Sequence, residues 1–403
     1  MTKLPDHYSP TAASIPITLQ GNHFRRAGAR FLLKAIAYTP HAPRLEHQIE
    51  SQRALVDPLS DAHLPELKKD IPYLKELGVN CISVEALDPT QSHTAAMNLL
   101  EQHGLYVLVQ LFSDLHPPRN PTVHHSEEPS APPPAPHYPR ASLLVTFTLV
   151  APLTTHPNLL ACTVDASSLT APGDTPFATV YRACIRDTKH FLHLHLHHGH
   201  APSRRQIPIG ITTAHTPSLH ASLLRYFTAG APAARADFFG GENWSWVGPS
   251  DFQMSGWKAM VEMYEAQGIP RVPMILAGFG TKCGGSGRVW DEVSCLFGAE
   301  MTGWFSGGVV YRFLEDGGDG YGVLKVGDGG VRRKRREFRG LKERLAGLVD
   351  REVAGGTGRA GYEEWRGEFP EVGEGRWGVG WFAGEELPEF PGGWEGVLEE
   401  VRG

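Results

Sequence analysis

Residues 70–86, DIPYLKELGVNCISVEA, contain the repeating unit that decides the fold. Ile71, Leu74 and Leu77 recur at helical spacing, and the glycine that follows them is a typical helix stop. The apolar run NCISVEA, 80–86, comes directly afterwards and has the length and composition of a strand. A short helix that leads into an apolar strand is typical of α/β proteins.

The same alternation extends along most of the chain. Eight runs of strand length, most of them rich in Val, Ile, Leu or aromatic residues, lie at 31–38, 80–86, 105–111, 158–166, 207–213, 236–243, 272–278 and 308–314. Helix-like stretches lie between them at 70–78, 93–104, 176–198, 218–230, 250–268 and 288–301. This alternation predicts a (β/α)8 TIM barrel, and no strand-linked Gly-x-Gly-x-x-Gly motif supports an open dinucleotide-binding sheet.

Two segments fall outside this pattern. Residues 114–140 hold nine Pro and predict an extended loop insertion, which is favoured over a Pro-rich ligand for a partner protein. Residues 349–403 form an acidic, Gly-rich tail, a composition typical of disorder, although its four Trp indicate that part of it packs on the barrel. We therefore expect an N-terminal segment over 1–14 and a barrel domain over 15–348.

The charge and cysteine content narrow the class of protein. The 403 residues carry 38 Lys and Arg against 44 Asp and Glu, and a formal charge of −6 gives no general signal for nucleic-acid binding. Five Cys are too few for a disulfide scaffold in a chain of this length. Residues 1–14 lack the apolar core of a secretion signal, and no run reaches the ~18–20 apolar residues of a membrane span. We expect a cytoplasmic or otherwise intracellular protein.

Three further motifs allow a functional and a structural interpretation. In the run HFLHLHLHHGH, 190–200, His193 and His197 have the spacing of metal ligands, but a solvated helix end is favoured because no nearby Glu or Cys completes a site. The basic run at 332–336 fits a nuclear address or an anionic-partner patch, and an exposed charged helix face is favoured. Cys283 is interpreted as a loop cysteine. The sequence thus predicts no metal and no cofactor.

Several longer blocks of sequence indicate a protein family more specifically than the alternation of strands and helices does. They lie at 21–40, 57–61 (DPLSD), 69–93, 182–191 (RACIRDTKHF), 235–248 (RADFFGGENWSWVG) and 301–326. In this order they resemble the fungal β-1,3-glucanosyltransferases of glycoside hydrolase family 72, over about residues 15–348 outside the Pro-rich loop. The resemblance implies a (β/α)8 barrel in a family that is secreted and membrane-anchored. It also implies retaining transfer of glucan by two Glu, a nucleophile and an acid/base, on barrel strands four and seven.

The chain departs from this family at both catalytic positions. Counted from Pro157, the family's acid/base position falls on Ser167, and its nucleophile position falls on Gly278. Retaining transfer needs two carboxylates roughly 5 Å apart, and neither residue supplies one. The resemblance therefore implies a catalytically inactive pseudoenzyme. Such a protein could still bind β-1,3-glucan or another oligosaccharide, or act as an accessory protein with an unknown protein partner.

The resemblance also implies positions that bind sugar. Tyr38, Trp246 and Tyr311 match aromatic residues of the family, and Trp244 replaces a Tyr. Aromatic rings present the flat apolar faces on which sugar rings stack. We expect these four side chains to line a glucan groove.

An active glucanosyltransferase or glycosidase with relocated carboxylates is the alternative. Asp165 lies two residues before Ser167 and therefore on the same strand face. Glu85, Glu242 and Glu315 stand near the ends of three other predicted strands, where TIM-barrel active sites form. A pair drawn from these four acids could act as general acid and general base on a glycoside. For any single one of them, a structural role is the favoured interpretation.

Overall fold

The computed structural model describes residues 14–39, 56–85, 87–111, 138–198, 205–284, 287–315, 318–348, 368–374 and 380–402. The Pro-rich insertion predicted over 114–140 lies outside these residues except for its last three. Of the predicted acidic tail, 368–374 and 380–402 are described.

Eight parallel strands close into a barrel. They are β1 (Leu33–Ala37), β2 (Cys81–Val84), β3 (Tyr106–Leu111), β4 (Leu159–Asp165), β5 (Ile209–Thr213), β6 (Phe239–Glu242), β7 (Met274–Phe279) and β8 (Phe305–Val310). Each strand pairs with the next along the chain, and β8 pairs with β1, so the sheet has no open edge. The predicted (β/α)8 TIM barrel is confirmed.

The last barrel strand begins earlier than the sequence predicts. β8 covers 305–310 rather than 308–314 because two consecutive glycines belong to it. Gly307 has a φ of +95°, and a Cβ on it would lie 2.3 Å from the carbonyl oxygen of Leu33. Glycine is required for this close approach of β8 to β1, so residues that look like a turn lie inside a strand.

Helices surround the barrel. They are α1 (Leu64–Leu77), α2 (Thr94–Gln102), α3 (Arg140–Leu153), α4 (Ala178–His198), α5 (His220–Thr228), α6 (Gly256–Ala266), α7 (Asp291–Leu296), α8 (Ala299–Thr302), α9 (Arg336–Ala346) and α10 (Val397–Arg402). α1 starts six residues before the predicted helix, with Pro65 in its first turn, where the missing N–H costs nothing. Among the described helices, none has both the length and the apolar character needed to cross a bilayer.

A three-stranded antiparallel sheet covers the amino-terminal end of the barrel. Its strands are Ile17–Gln20, His23–Arg26 and Ala29–Arg30. Buried Ile17 and Phe24 belong to the same apolar cluster as barrel residues, and the Phe24 ring meets the Phe238 ring edge-on at 5.3 Å. The sheet therefore fills the lower part of the barrel, and the carboxyl ends of the strands lie at the other end.

The last described segment, 380–402, packs against α3 and α4. Phe390 and Trp394 stack with ring centroids 4.1 Å apart, and both stack on Phe147 of α3. The Arg140 guanidinium donates to two backbone carbonyls of the segment at 2.9 and 2.8 Å. Aromatic stacking and these hydrogen bonds attach the segment to the side of the barrel.

Candidate functional site

Acidic side chains converge at the carboxyl ends of three barrel strands. Asp165 ends β4, Glu242 ends β6, and Glu85 directly follows β2. This end of a TIM barrel carries the active site in enzymes with this fold, because its loops vary without altering the barrel. We call this end, with these three carboxyls and the rings of Trp244 and Tyr311, the barrel mouth.

The three carboxyls of the mouth share one electrostatic environment. Burial raises the pKa of Glu85, and the charges of Asp165 and Glu242 raise it further, while the Arg312 charge lowers it. Burial is also the main cause of the raised pKa of Glu242, to which the charge of Asp165 adds. Glu85 is solvent-accessible, but the surrounding protein replaces much of the water that would stabilise its charge. The environment of the mouth therefore raises the pKa of these carboxyls.

Asp165 lies beside the vacant acid/base position. The Ser167 backbone N–H donates to Asp165 Oδ1 at 2.9 Å, and the Ser167 hydroxyl donates to Oδ2 at 3.1 Å. Burial raises the pKa of Asp165, while hydrogen bonds from Ser167 and Thr212 lower it. The side chain at 167 is therefore not acidic, but Ser167 donates two hydrogen bonds to the acidic side chain of Asp165.

Glu242 lies beside the vacant nucleophile position. Gly278 is inside β7 and pairs with Glu242 across the sheet. A Cβ on Gly278 would lie 3.1 Å from Cζ2 of Trp244 and 3.3 Å from Cγ of Glu242. The Trp244 indole N–H also donates to Glu242 Oε2 at 3.1 Å. Trp244 and Glu242 therefore crowd the space that a side chain at 278 would enter.

Three half-buried aromatic rings form a cluster at the mouth. Tyr311 contacts Trp244 edge-on at 5.8 Å between ring centroids, and Tyr321 lies 5.4 Å from Tyr311 and 6.4 Å from Trp244. The sequence analysis did not single out Tyr321. The available signal was an aromatic residue flanked by glycines, Gly320 and Gly322, in the block 301–326.

Tyr38 and Trp246 are placed in the core instead of on the surface. Tyr38 is 2% exposed, and its hydroxyl donates to Asp70 Oδ2 at 2.9 Å. Trp246 is also 2% exposed and packs edge-on against Trp257 at 5.0 Å. Their ring faces are covered by protein, so of the four aromatic residues that the sequence points to, Trp244 and Tyr311 are the accessible pair.

Glu315 is separated from the other acids by its own bonds. Its carboxylate accepts hydrogen bonds from the backbone N–H of Gly320 at 2.6 Å and of Gly322 at 2.9 Å, and it pairs with Arg335. These contacts fix the loop that carries Tyr321. The structure thus brings Glu85, Asp165 and Glu242 together and gives Glu315 a structural role.

The His run at 190–200 and the basic run at 332–336 each allow a functional and a structural interpretation from sequence, and the described residues of both have structural surroundings. His193 and His197 stand on α4 with ring centroids 4.2 Å apart. Within the part of the chain that the structure describes, no three His, Cys, Asp or Glu are arranged to hold a metal ion. In the basic run, Arg332 pairs with Asp70 at 2.6 Å, and Lys334 pairs with Glu76 at 2.5 Å. These basic residues attach the segment to α1.

A closed (β/α)8 barrel with carboxyls and accessible aromatic rings at its mouth is compatible with the class of TIM barrels that act on glycosides. The sequence profile of the glucanosyltransferase family, glycoside hydrolase family 72, matches residues 7–348. This chain belongs to that family. The resemblance seen in the sequence blocks is therefore confirmed.

Several curated relatives are named 1,3-beta-glucanosyltransferases. The chain is 31% identical over 320 residues to Protein EPD1 of Candida maltosa. This alignment covers 78% of this chain and 52% of that protein. It is 28% identical over 351 residues to the 1,3-beta-glucanosyltransferase GAS5 of Saccharomyces cerevisiae, which covers 86% of this chain and 66% of that enzyme. The chain thus spans between half and two thirds of the length of these relatives.

Solved structures show the same barrel. Saccharomyces cerevisiae Gas2p in complex with laminaritriose and laminaritetraose matches this chain with a TM-score of 0.75 and 28% identity, over 94% of this chain and 78% of that one. Gas2p has also been solved in complex with laminaripentaose, with the same TM-score and identity. These structural relatives bind β-1,3-linked glucose oligomers.

The predicted intracellular location is wrong. It rested on the missing apolar leader in residues 1–14 and on the low cysteine content. Membership of the glucanosyltransferase family overturns it, because the relatives are cell-wall glucanosyltransferases of the secreted, surface kind. The first residues of this chain carry no weight against that finding, since the chain matches only part of its relatives.

Proposed function

We propose that this chain is a β-1,3-glucan-binding member of the glucanosyltransferase family that does not perform the family's covalent transfer. One observation carries the proposal: neither Ser167 nor Gly278 bears a carboxylate, and Trp244 and Glu242 crowd the space beside Gly278. A glycosyl-enzyme intermediate needs a carboxylate at the nucleophile position and an acid at the other. Without both, the retaining route is closed at these positions.

The aromatic cluster supports glucan binding. Trp244, Tyr311 and Tyr321 are half-buried, so each ring keeps one part fixed by protein and another part open to a ligand. Such rings supply the apolar faces on which sugars stack, with few side-chain rotamers to immobilise. Gas2p, which shares the fold, binds laminari-oligosaccharides.

An enzyme with relocated acids is the second candidate, and one observation favours it. Asp165 and Glu242 each lie directly beside one of the two vacant positions. Burial raises the pKa of both carboxyls, which is the direction that a general acid requires. In this reaction one protonated carboxyl gives its proton to the leaving glycosidic oxygen. The other, ionised, takes a proton from the water that attacks the anomeric carbon.

Incubation with laminarihexaose separates the two candidates. We expect saturable binding by calorimetry and no longer or shorter oligosaccharides by chromatography, while an active relative run in parallel produces both. Trp244→Ala should weaken binding about tenfold, the loss of one stacking contact. Phe382→Ala, which removes an exposed aromatic ring of the C-terminal segment, is the matched control and should bind normally.

New products would overturn the binding-only proposal. If these products disappear in both Asp165→Asn and Glu242→Gln, the relocated acids are the catalytic residues. If they persist in both variants, neither candidate describes the site. Absence of saturable laminarihexaose binding would contradict the glucan-binding proposal itself.

A further inference from the structure

A large cleft opens at the amino-terminal end of the barrel, opposite the mouth. It has a volume of about 1490 Å³ and lies among the N-terminal sheet, α4 and the loops that precede β5, β6 and β7. Ligand pockets usually measure about 300–1,000 Å³, so this cleft, here called the basal cleft, has ample room for a small molecule. The proposed glucan binding at the mouth makes no use of it.

Basic side chains outnumber acidic ones in the described lining of the basal cleft. The five Lys and Arg are Arg186, Lys189, Arg205, Arg235 and Arg271, and the two acids among the described lining residues are Asp187 and Asp237. The formal charge of the whole chain is −6, so this concentration of positive charge runs against the overall balance. A concave basic surface concentrates field lines and attracts anions.

Both acids of the cleft are already bound to basic partners. Asp187 accepts two hydrogen bonds from Arg186 at 2.7 and 2.9 Å and one from the Tyr138 hydroxyl at 2.7 Å. Asp237 accepts one from Lys189 Nζ at 2.6 Å and one from a backbone N–H at 2.8 Å. Arg186 and Lys189 are therefore neutralised within the protein, and basic residues outnumber acidic ones in the described lining.

Arg205 supplies part of this excess. Its guanidinium donates to the carbonyl oxygens of Ile17 at 3.1 Å and Leu159 at 2.5 Å, and among the described residues no carboxylate forms an ion pair with it. Burial lowers its pKa, because the charged form has lost part of its hydration. A guanidinium has five N–H donors, and these two bonds leave donors for an anion.

Arg271 adds a second cation on another wall of the cleft. It lies over the Trp304 ring at 3.3 Å and donates to the Gly303 carbonyl at 2.9 Å. Among the described residues it pairs with Glu265, at 4.0 Å in an exposed position, where ion pairing contributes little. The positive charge of Arg271 therefore remains available to a ligand in the cleft.

We propose that the basal cleft binds a soluble anion that carries several phosphate groups. Guanidinium groups donate two parallel hydrogen bonds to phosphate oxygens, and cations on separate walls match several charges on one ligand. The Trp394 ring lines the same cleft and gives an apolar surface to the organic part of such a ligand.

Calorimetric titration with inorganic tripolyphosphate tests the proposal. We expect saturable binding that weakens strongly as salt is added, because screening acts on charge attraction. Arg205→Gln and Arg271→Gln should each weaken binding about tenfold. Arg205 also holds two backbone carbonyls, so Arg271→Gln is the independent variant if Arg205→Gln does not fold. Arg333→Gln removes an exposed arginine outside the cleft and should leave the affinity unchanged.

No saturable binding at millimolar tripolyphosphate and low salt would overturn the proposal, as would an equal loss of affinity in Arg333→Gln. Laminarihexaose binding is measured on the same samples. Trp244→Ala should lose affinity for the sugar and keep its affinity for tripolyphosphate, while Arg271→Gln should show the reverse. Failure of the basal-cleft proposal and failure of the glucan-binding proposal are therefore distinguished.

Discussion

Carboxylates at the two ends of the barrel stand in opposite surroundings. At the basal cleft, Asp187 and Asp237 each accept hydrogen bonds from a neighbouring cation. At the mouth, burial raises the pKa of Glu85 and Glu242, and the charge of Asp165 raises both further. Neighbouring like charges reduce the free energy of unfolding. A site that keeps them in spite of this loss of stability is a candidate functional site.

The comparison also separates structural acids from candidate functional acids. Glu315 stands near a strand end like the acids of the mouth, but two backbone N–H groups and Arg335 surround its carboxylate. In this respect it resembles Asp187 at the other end. Position in a TIM barrel therefore selects the candidates, and the partners of each carboxylate decide among them.

The largest loss of stability should come from removing a buried carboxylate that accepts several hydrogen bonds. Asp187 is 2% exposed, and Asp187→Ala removes the carboxylate to which Arg186 and the Tyr138 hydroxyl donate. Breaking a buried ion pair from one side costs about 3–5 kcal/mol, and the partial exposure of Arg186 points to the lower part of that range. Chemical denaturation measures the loss. Asp187→Asn keeps one acceptor oxygen, and a loss equal to that of Asp187→Ala would show that the negative charge is the essential contribution.

Neutralising an acid of the mouth should raise the free energy of unfolding instead of lowering it. The pKa of Glu242 is raised in the folded state, so the folded protein binds more protons than the unfolded chain, and its stability falls as pH rises through that pKa. Glu242→Gln keeps an acceptor for Trp244 and removes the charge. We expect a gain of up to about 1 kcal/mol at pH 7, and none below the ordinary pKa of Glu, about 4.

Thermal unfolding of Glu242→Gln between pH 4 and pH 7 measures this gain. Glu262→Gln, on the exposed face of α6 beside Lys258, is the matched control and should show no gain at pH 7. A stability loss in Glu242→Gln at pH 7, or an equal gain in the control, would contradict the view that like charges oppose one another at the mouth.

Much of the fold could be predicted from the sequence because buried parallel strands give apolar runs. The runs at 105–111 and 158–166 match β3 and β4 to within a residue at each end. α3 could not be predicted, since it is apolar around most of its surface and shows little helical period. The position of β8 depends on contact between Gly307 and Leu33, which no local pattern contains.

The site was only partly predictable for a related reason. The resemblance pointed to the vacant positions Ser167 and Gly278, and strand-end position pointed to the acids nearby. Burial of Trp246 against Trp257 depends on how the loop after β6 folds back, and a sequence pattern does not give that. The hydrogen bonds that occupy Glu315 come from a loop several residues further on, so its structural role emerges only in three dimensions.

The smallest effect on stability is expected for Ser167, and the adjacent Ser168 should not share it. The Ser167 hydroxyl donates to Asp165 Oδ2 at 3.1 Å, while the Ser168 hydroxyl lies 2.6 Å from the hydroxyl of Tyr181. Because the first bond stabilises the ionised carboxylate, Ser167→Ala should raise the pKa of Asp165 and lower the free energy of unfolding at pH 7 by about 0.5–1 kcal/mol. Titration of the Asp165 carboxyl carbon by NMR measures the change in pKa directly.

Ser168→Ala is the matched control, since it deletes a hydroxyl one residue away that does not bond to Asp165. It should leave the titration of Asp165 unchanged. Equal shifts in the two variants would mean that burial of the mouth as a whole, and not the Ser167 hydroxyl, sets the charge of Asp165. The contrast with the paired acids of the basal cleft would then rest on burial at the mouth and not on the Ser167 hydroxyl.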